Sequence, residues 1–390
     1  MLENEFDLST QQLKEICEAF AQKIDEGLKA DGREIACLPT FLGLPDGQQS
    51  GSALVVDTGG TNMRAAVVEL SPSEGDIRSG PIADKIPDGR DGVSVSGRDF
   101  FAAQAQLSSK LESDARELPL GYCFSYPARN QADGDAILLR WTKGLQIEGV
   151  IGEPVGVALR QSLKEVGFRT SQCSVLNDTV ASLLGGVHLY GSGEYGQNYI
   201  GLILGTGTNM AGVFTPEQLS KVSAKDSMVV NLESGNFQPP HLSKYDDQFD
   251  ASTDTPGKQR FEKAISGYYL PQLFQSIMPD HNLSQSSSAL VELRDQGSGP
   301  ESDLAKQLLR RSARLAAAGL AAVASFYPKE RPTGVLAEGG LLWGDPQYVP
   351  TLKEALRELT GDDRLRLIEQ SENVNLLGAA SAALATEART

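Results

Sequence analysis

The sequence predicts an α/β protein of two ordinary domains or one large one, and three observations carry that prediction. Short apolar runs alternate with amphipathic helical stretches along the chain. Two of the runs, at 53–56 and 199–204, end in glycine turns and continue as strands rather than as helices. The tetrapeptide Gly60-Thr61-Asn62-Met63 recurs as Gly207-Thr208-Asn209-Met210, each copy after an apolar run and before small apolar residues, which predicts a duplicated structural unit.

From Ser9 onward, Leu13, Ile16, Phe20, Ile24 and Leu28 recur every three to four residues, so the chain opens with an amphipathic helix. The stretch 38–52, rich in Pro, Gly and polar residues, is an irregular connection. ALVV at 53–56 and AAVVEL at 65–70 flank DTGGTN and give strand, tight turn and strand. Residues 71–97 read as loop-rich, 99–116 as a helix, 120–127 as a strand ended by Pro127, and 137–145 as a strand running into a loop. The second half repeats the plan with CSVLND at 173–178, a helix over 179–190, a strand at 199–204 and the second glycine turn. Helices over 256–277 and 302–326, a strand at 333–338 and a closing helix over 376–385 complete the chain.

With 390 residues, 40% of them hydrophobic and 22% charged, the composition is that of a globular protein with apolar content enough for real cores. A net charge of −16 and a sequence pI of about 4.7 argue against nucleic acid and anionic membrane surfaces as ligands, because cationic side chains dominate affinity for phosphate polyanions. A nucleotide bound by such a chain needs local cations, backbone amides and Mg2+. Cys17, Cys37, Cys123 and Cys173 lack paired spacing and read as reduced thiols. His188, His241 and His281 have no partner at metal-ligand spacing. An acidic start and the lack of a long apolar run predict a cytoplasmic protein without export signal or membrane span.

Glycine turns between strands can cradle phosphates, since backbone amides approach the oxygens closely where no side chain intervenes. The turns at 57–62 and 205–209 fit that role, although each could equally be a plain hairpin turn. No Gly-Lys-Ser/Thr triplet follows either, and neither opens a helix, so P-loop and dinucleotide fingerprints are excluded. Phosphoryl transfer to an alcohol needs a carboxylate to accept the hydroxyl proton and a metal to bridge the phosphates. Asp178, at the carboxyl end of an apolar strand, is the candidate base, with a helix N-cap as the alternative role. Asp57 holds the matching place in the first unit and is the candidate metal carboxylate, acting through water. Ser125, Thr142, Lys143, Asn209, Glu233 and Glu262 supply the mixed donors and acceptors a sugar requires.

The strings LVVDTGGTNMR, GYCFSYP, RWTKGL, VLNDTVASLL, GLILGTGTN, NLESGNF and PGKQRFEKAISGYYL together resemble the hexokinase family, in order, from about Leu38 to the terminal helix. The resemblance implies a two-lobed actin-like (ribonuclease H-like) ATPase fold around a central cleft. It implies a small domain of 52–176 plus 374–390 and a large domain of 1–51 plus 177–373. It further implies ATP-dependent phosphorylation of a hexose, glucose by default, at the 6-hydroxyl, with Mg2+ accompanying ATP. By motif position, Asp57, Gly59, Gly60, Thr61, Asn62 and Arg64 form a first phosphate hairpin, and Gly205, Thr206 and Gly207 a second. Ser125, Thr142, Lys143, Asn177, Asp178, Asn209, Glu233 and Glu262 line the hexose site. Asp178 takes the proton while Lys143 helps neutralise the reacting oxygen. Gly339, Gly340 and Gly378 approach the adenosine. Glu338 and Gly340 stand where that family usually shows Asp and Ser, Ser234 where many relatives have Trp, and Tyr126 where they usually have Phe. Three rival readings are a sugar sensor that has lost transfer, an actin- or chaperone-like ATPase indifferent to sugar, and the bacterial repressor and sugar-kinase family, whose cysteine-and-histidine zinc cluster has no counterpart in this sequence. Oligomeric state is left open.

Overall fold

The computed structural model describes residues 5–88, 94–112, 117–142, 144–191 and 193–388, and two mixed sheets organise them. The first contains β1 (Gly51–Thr58), β2 (Asn62–Ser71), β3 (Glu74–Lys85), β4 (Leu120–Phe124) and β5 (Cys173–Leu176), in the order β5-β4-β1-β2-β3. Here β1, β4 and β5 run parallel while β2 and β3 return antiparallel. The second contains β6 (Tyr199–Leu204), β7 (Thr208–Phe214), β8 (Met228–Asn231), β9 (Thr333–Glu338) and β10 (Leu365–Glu369), in the order β8-β7-β6-β9-β10. Its parallel and antiparallel relations repeat those of the first sheet, with the short strand Leu38–Pro39 added beside β8. The duplication predicted from the tetrapeptide is therefore one of topology. The turns themselves differ, because four residues (59–62) separate the last paired positions of the first hairpin and three (205–207) those of the second.

Alternation along each strand sends side chains to two cores. Leu54 and Val56 of β1 face a core capped by the helices Gly97–Ser108 and Val155–Glu165. Ala53 and Val55 face the other way, toward the helices Asp178–Tyr190 and Val374–Glu387, and Tyr199, Ala211 and Leu336 of the second sheet join that same core. Beyond the second sheet, Ile200, Leu202 and Val335 belong to a third core with the opening helix Thr10–Lys29 and the long helix Pro300–Ala324. Central strands buried on both faces read as continuous apolar runs, which is why β1 and β6 were legible. The opening helix starts where the periodicity places it, with Ser9 and Gln12 forming a capping box.

Four expectations are corrected. The loop-rich stretch 71–97 contains β3, a twelve-residue edge strand whose side chains are mostly exposed, so it carries no apolar period, and an edge tolerates Pro81. The predicted helix over 256–277 is two helices, Arg260–Ile265 and Tyr269–Ile277. It breaks because Gly267 and Tyr268 turn their N–H groups onto the carbonyls of Gly205 and Thr206, at 2.7 and 3.1 Å. Among the described residues, the strand over 137–145 pairs as a strand only at Ala136–Leu138, opposite Ala128–Asn130. The helix predicted over 99–116 closes at Ser108, and its last four predicted residues lie outside the described residues. All four cysteines are free thiols, as expected.

Candidate active site

The candidate residues gather at the carboxyl ends of parallel strands in both sheets. Asp57, Cys123 and Leu176 are register partners across β1, β4 and β5, so two strand spacings, roughly 10 Å, separate Asp57 from the end of β5. At that end Asn177 is the residue that caps the helix: its side-chain oxygen accepts from Thr179 N at 3.0 Å. Asp178 is thereby the first helical residue. Its Oδ1 accepts from Thr179 N at 2.8 Å and from the Thr179 hydroxyl at 3.3 Å, and Thr179 is fully buried, so the carboxylate has a fixed orientation.

From Asn177 an amide network crosses to the second sheet. Asn209 Nδ2 donates to Asn177 Oδ1 at 3.2 Å and to Asn231 Oδ1 at 2.7 Å, and Asn231 Nδ2 donates to Glu233 Oε1 at 3.0 Å. Asn209 Oδ1 accepts from the backbone of Met210 and Ser234, which fixes the amide's sense. Glu262 reaches the same region: its Oε2 accepts from Thr208 N at 2.9 Å and its Oε1 from Gln259 Nε2 at 3.0 Å. Glu233, Gln259 and Asn373 have φ of 57°, 54° and 63°, a left-handed backbone that is uncommon outside glycine. Each belongs to or touches a candidate residue, and Cys37, Phe41, Ser73 and His241 adopt the same backbone elsewhere, so the conformation alone does not mark the site.

The first hairpin is closed by Gly59 N donating to Asn62 O at 3.0 Å, with Thr61 and Asn62 exposed at its tip. Arg64, assigned to this hairpin, stands opposite Asp57 on β2 and donates to Asp57 Oδ2 through Nε at 2.9 Å and Nη2 at 2.6 Å. Asn373 and Asn375, at the start of the C-terminal helix, accept from the same guanidinium. Ser125 is buried just past β4, its N–H bonded to Thr58 O, and Thr142 is half-buried. Beside Ser125, the Tyr126 hydroxyl donates to Gly59 O, so the tyrosine ties this loop to the hairpin. Lys143 lies outside the described residues.

The second hairpin presents Thr206 at its exposed tip, with Gly205 and Gly207 half-buried and joined by Gly205 N donating to Gly207 O. Gly205 abuts Gly339 and Gly340, and a Cβ on Gly340 would meet open space. Gly378, assigned to the adenosine, also sits where two helices cross. It is buried against the helix Asp178–Tyr190, where a Cβ would lie 1.7 Å from Ala181 O.

Glu338 ends β9 with its Oε1 buried and without a hydrogen-bond partner among the described residues. Burial pushes its carboxyl up, and the charges of Asp178 and Asp57 add to that push against Ser182 and Arg64. The same two aspartates act on the buried Cys123 thiol, which burial above all holds protonated. Asp57, Asp178, Glu338 and Arg64 thus share one electrostatic neighbourhood. Because the folded chain keeps the Glu338 proton to higher pH than the unfolded chain does, stability falls as pH rises from the ordinary value of 4.5 through the folded one. Glu338→Gln is expected to raise the thermal midpoint above that window and to leave it unchanged below. Melting curves across pH check this, and parallel curves for the two proteins would refute it.

Sequence reasoning missed Asn231, Gln259, Asn373 and Asn375. Asn231 lay within reach, since it opens the string NLESGNF, whereas nothing local links Asn373 to Arg64, 309 positions away. Among the described residues no group of three or more His, Cys, Asp or Glu side chains converges to hold a metal. No helix among them is long and apolar enough to cross a membrane.

Two sequence profiles, both described as Hexokinase, match the chain, one over residues 1–188 and the other over 199–304 and 302–385. Hexokinase-2 of Schizosaccharomyces pombe is 31% identical over an alignment covering 98% of this chain and 95% of that protein. Hexokinase-1 of Nicotiana tabacum is 28% identical, covering 95% and 86%. Among solved structures, a Schistosoma mansoni hexokinase complexed with glucose superposes with a TM-score of 0.80 at 24% identity, covering 98% of this chain and 97% of that one. A ROK family glucokinase from Streptomyces griseus, in complex with glucose and AMPPNP, gives 0.52 at 19% identity, covering 85% and 98%. The structural likenesses bear out the expected two-lobed actin-like α/β fold. Sequence and fold agree over nearly the whole length, and the chain belongs to the hexokinase family of enzymes, which phosphorylate hexoses with ATP.

Proposed function

We propose that this hexokinase transfers the γ-phosphoryl group of ATP to the 6-hydroxyl of a hexose, glucose by default, with Asp178 as the general base. The observation that carries the reading is the amide network Asn177–Asn209–Asn231–Glu233, which places directional donors and acceptors beside the fixed Asp178 carboxylate and next to the second glycine hairpin. Glucose and AMPPNP in the Streptomyces griseus neighbour, and glucose in the Schistosoma mansoni one, support a sugar and a nucleotide sharing such a site.

In this reading the hexose rests on Asn177, Asn209, Glu233 and Glu262, covered by Ser125, Thr142 and Lys143. Asp178 accepts the 6-hydroxyl proton as that oxygen attacks the γ-phosphorus, and Lys143 offsets the charge that develops. The first hairpin (Gly59, Gly60, Thr61, Asn62) and the second (Gly205, Thr206, Gly207) hold the phosphates by backbone N–H groups, with Gly339 and Gly340 beside the adenosine. The donors fit Mg2+, because that ion keeps several waters and takes one or two carboxylates plus substrate phosphates, so a converging protein cage is not required. Asp57 would hold it through water, and when bound it neutralises phosphate charge. Arg64 keeps the Asp57 carboxylate aimed.

The small lobe, 52–176 with 374–390, closes on the large lobe, 1–51 with 177–373, once sugar is seated, which denies water the phosphate. The test is ADP release from Mg-ATP with glucose, fructose and mannose in turn. Release that depends on a hexose is expected. A rate unchanged on adding hexose would favour a sugar-indifferent ATPase, and hexose binding without release would favour a sensor.

A further inference from the structure

We propose that Glu262 is a positioning residue for the second glycine hairpin as well as a hexose ligand, so that sugar and nucleotide contacts in this half of the molecule form one mechanical unit. The inference rests on the hexokinase reading above and adds a physical link between its two subsites.

Three hydrogen bonds strap the hairpin to the segment 262–268. Glu262 Oε2 accepts from Thr208 N at 2.9 Å, and Gly267 N and Tyr268 N donate to Gly205 O and Thr206 O at 2.7 and 3.1 Å. The break between the helices Arg260–Ile265 and Tyr269–Ile277 exists to make the last two of these bonds. The strap has a rigid base, because the buried Lys263 ammonium donates to Asp250 Oδ1 at 2.6 Å, Thr253 Oγ1 at 2.8 Å and Thr255 O at 2.7 Å. A carboxylate has acceptor sites on both oxygens, so Oε2 can keep Thr208 while Oε1, now on Gln259, exchanges that amide for a sugar hydroxyl. Occupancy by sugar then fixes the carboxylate that fixes the hairpin, and linkage requires the effect to run in both directions.

Two variants test the link from opposite ends. Glu262→Ala, titrated with AMPPNP and Mg2+ by calorimetry in the absence of any hexose, is expected to bind about 5- to 20-fold more weakly than wild type, within the usual range of coupling between sites. Glu262→Gln keeps an acceptor for Thr208 N and is expected to stay within about 2-fold. From the hairpin side, a Cβ on Gly207 would lie 2.9 Å from Glu262 Oε2 and near nothing else but that carboxyl, and Gly207 is outside the left-handed region, so alanine displaces only Glu262. Gly207→Ala is expected to weaken hexose binding, measured by calorimetry, about 5- to 10-fold, although residue 207 never touches sugar in this arrangement. Sugar-free AMPPNP affinity unchanged in Glu262→Ala, or hexose Kd unchanged in Gly207→Ala, would overturn the proposal and leave Glu262 a sugar ligand only. A wild-type protein that bound no AMPPNP even with hexose present would overturn the proposed nucleotide site and this inference with it.

Discussion

Replacing Asp178 with alanine is expected to lower hexose-dependent phosphoryl transfer by about 100- to 10,000-fold, the usual contribution of a positioned general base, while hexose affinity changes far less. The fold should survive, because the helix cap belongs to Asn177, whose side chain accepts from Thr179 N and is itself held by Asn209. Asp178→Asn separates chemistry from structure. Asparagine retains an oxygen for Thr179 N, which Asp178 Oδ1 now bonds at 2.8 Å, but has no basicity. If Asp178 acts only in holding the helix start, the asparagine variant will turn over like wild type. If it is the base, both variants fall together while their melting temperatures stay near the wild-type value. Steady-state turnover with saturating hexose and Mg-ATP decides the matter, and near-normal turnover in either variant removes Asp178 from the role.

The parts of this site that were legible in the sequence are those whose signal is local. An apolar strand buried on both faces, ending in Asn-Asp or in a glycine turn, marks both the element and its candidate end, which is how Asp57, Asp178 and the two hairpins become candidates. Residues whose role depends on distant partners were not legible. Motif position implies a phosphate role for Arg64, and nothing local announces its partners Asn373 and Asn375 from the far end of the chain. The helix break at 266–268 had Gly267 as its one local signal, and the bonds that hold it reach carbonyls some sixty positions upstream. β3 escaped because an exposed edge strand needs no apolar period. At Gly378 the missing side chain makes room for another helix, a contact that motif position alone does not announce.

That room leads to the second large effect, a loss of stability of about 3 kcal/mol in Gly378→Ala, at the upper end for overpacking a core. A methyl group there would sit 1.7 Å from Ala181 O, a backbone atom that no rotamer change can move, so the helices Asp178–Tyr190 and Val374–Glu387 must part by more than an ångström. The crossing is close from both sides, since a Cβ on Gly185 would lie 2.2 Å from Val374 O. Parting the helices also moves the start of the one that carries Asp178, and a misplacement of that size can cost about 100-fold in rate. Denaturant unfolding with turnover measured on the folded protein should therefore show both losses together. The two glycines also make a cycle: once the first methyl has separated the helices, the second meets less resistance, so Gly185→Ala and Gly378→Ala combined should cost less than the sum of the single changes. Strict additivity, or a single variant as stable as wild type, would mean that the two helices do not set each other's position, and the seam between the two layered halves would have to be sought elsewhere.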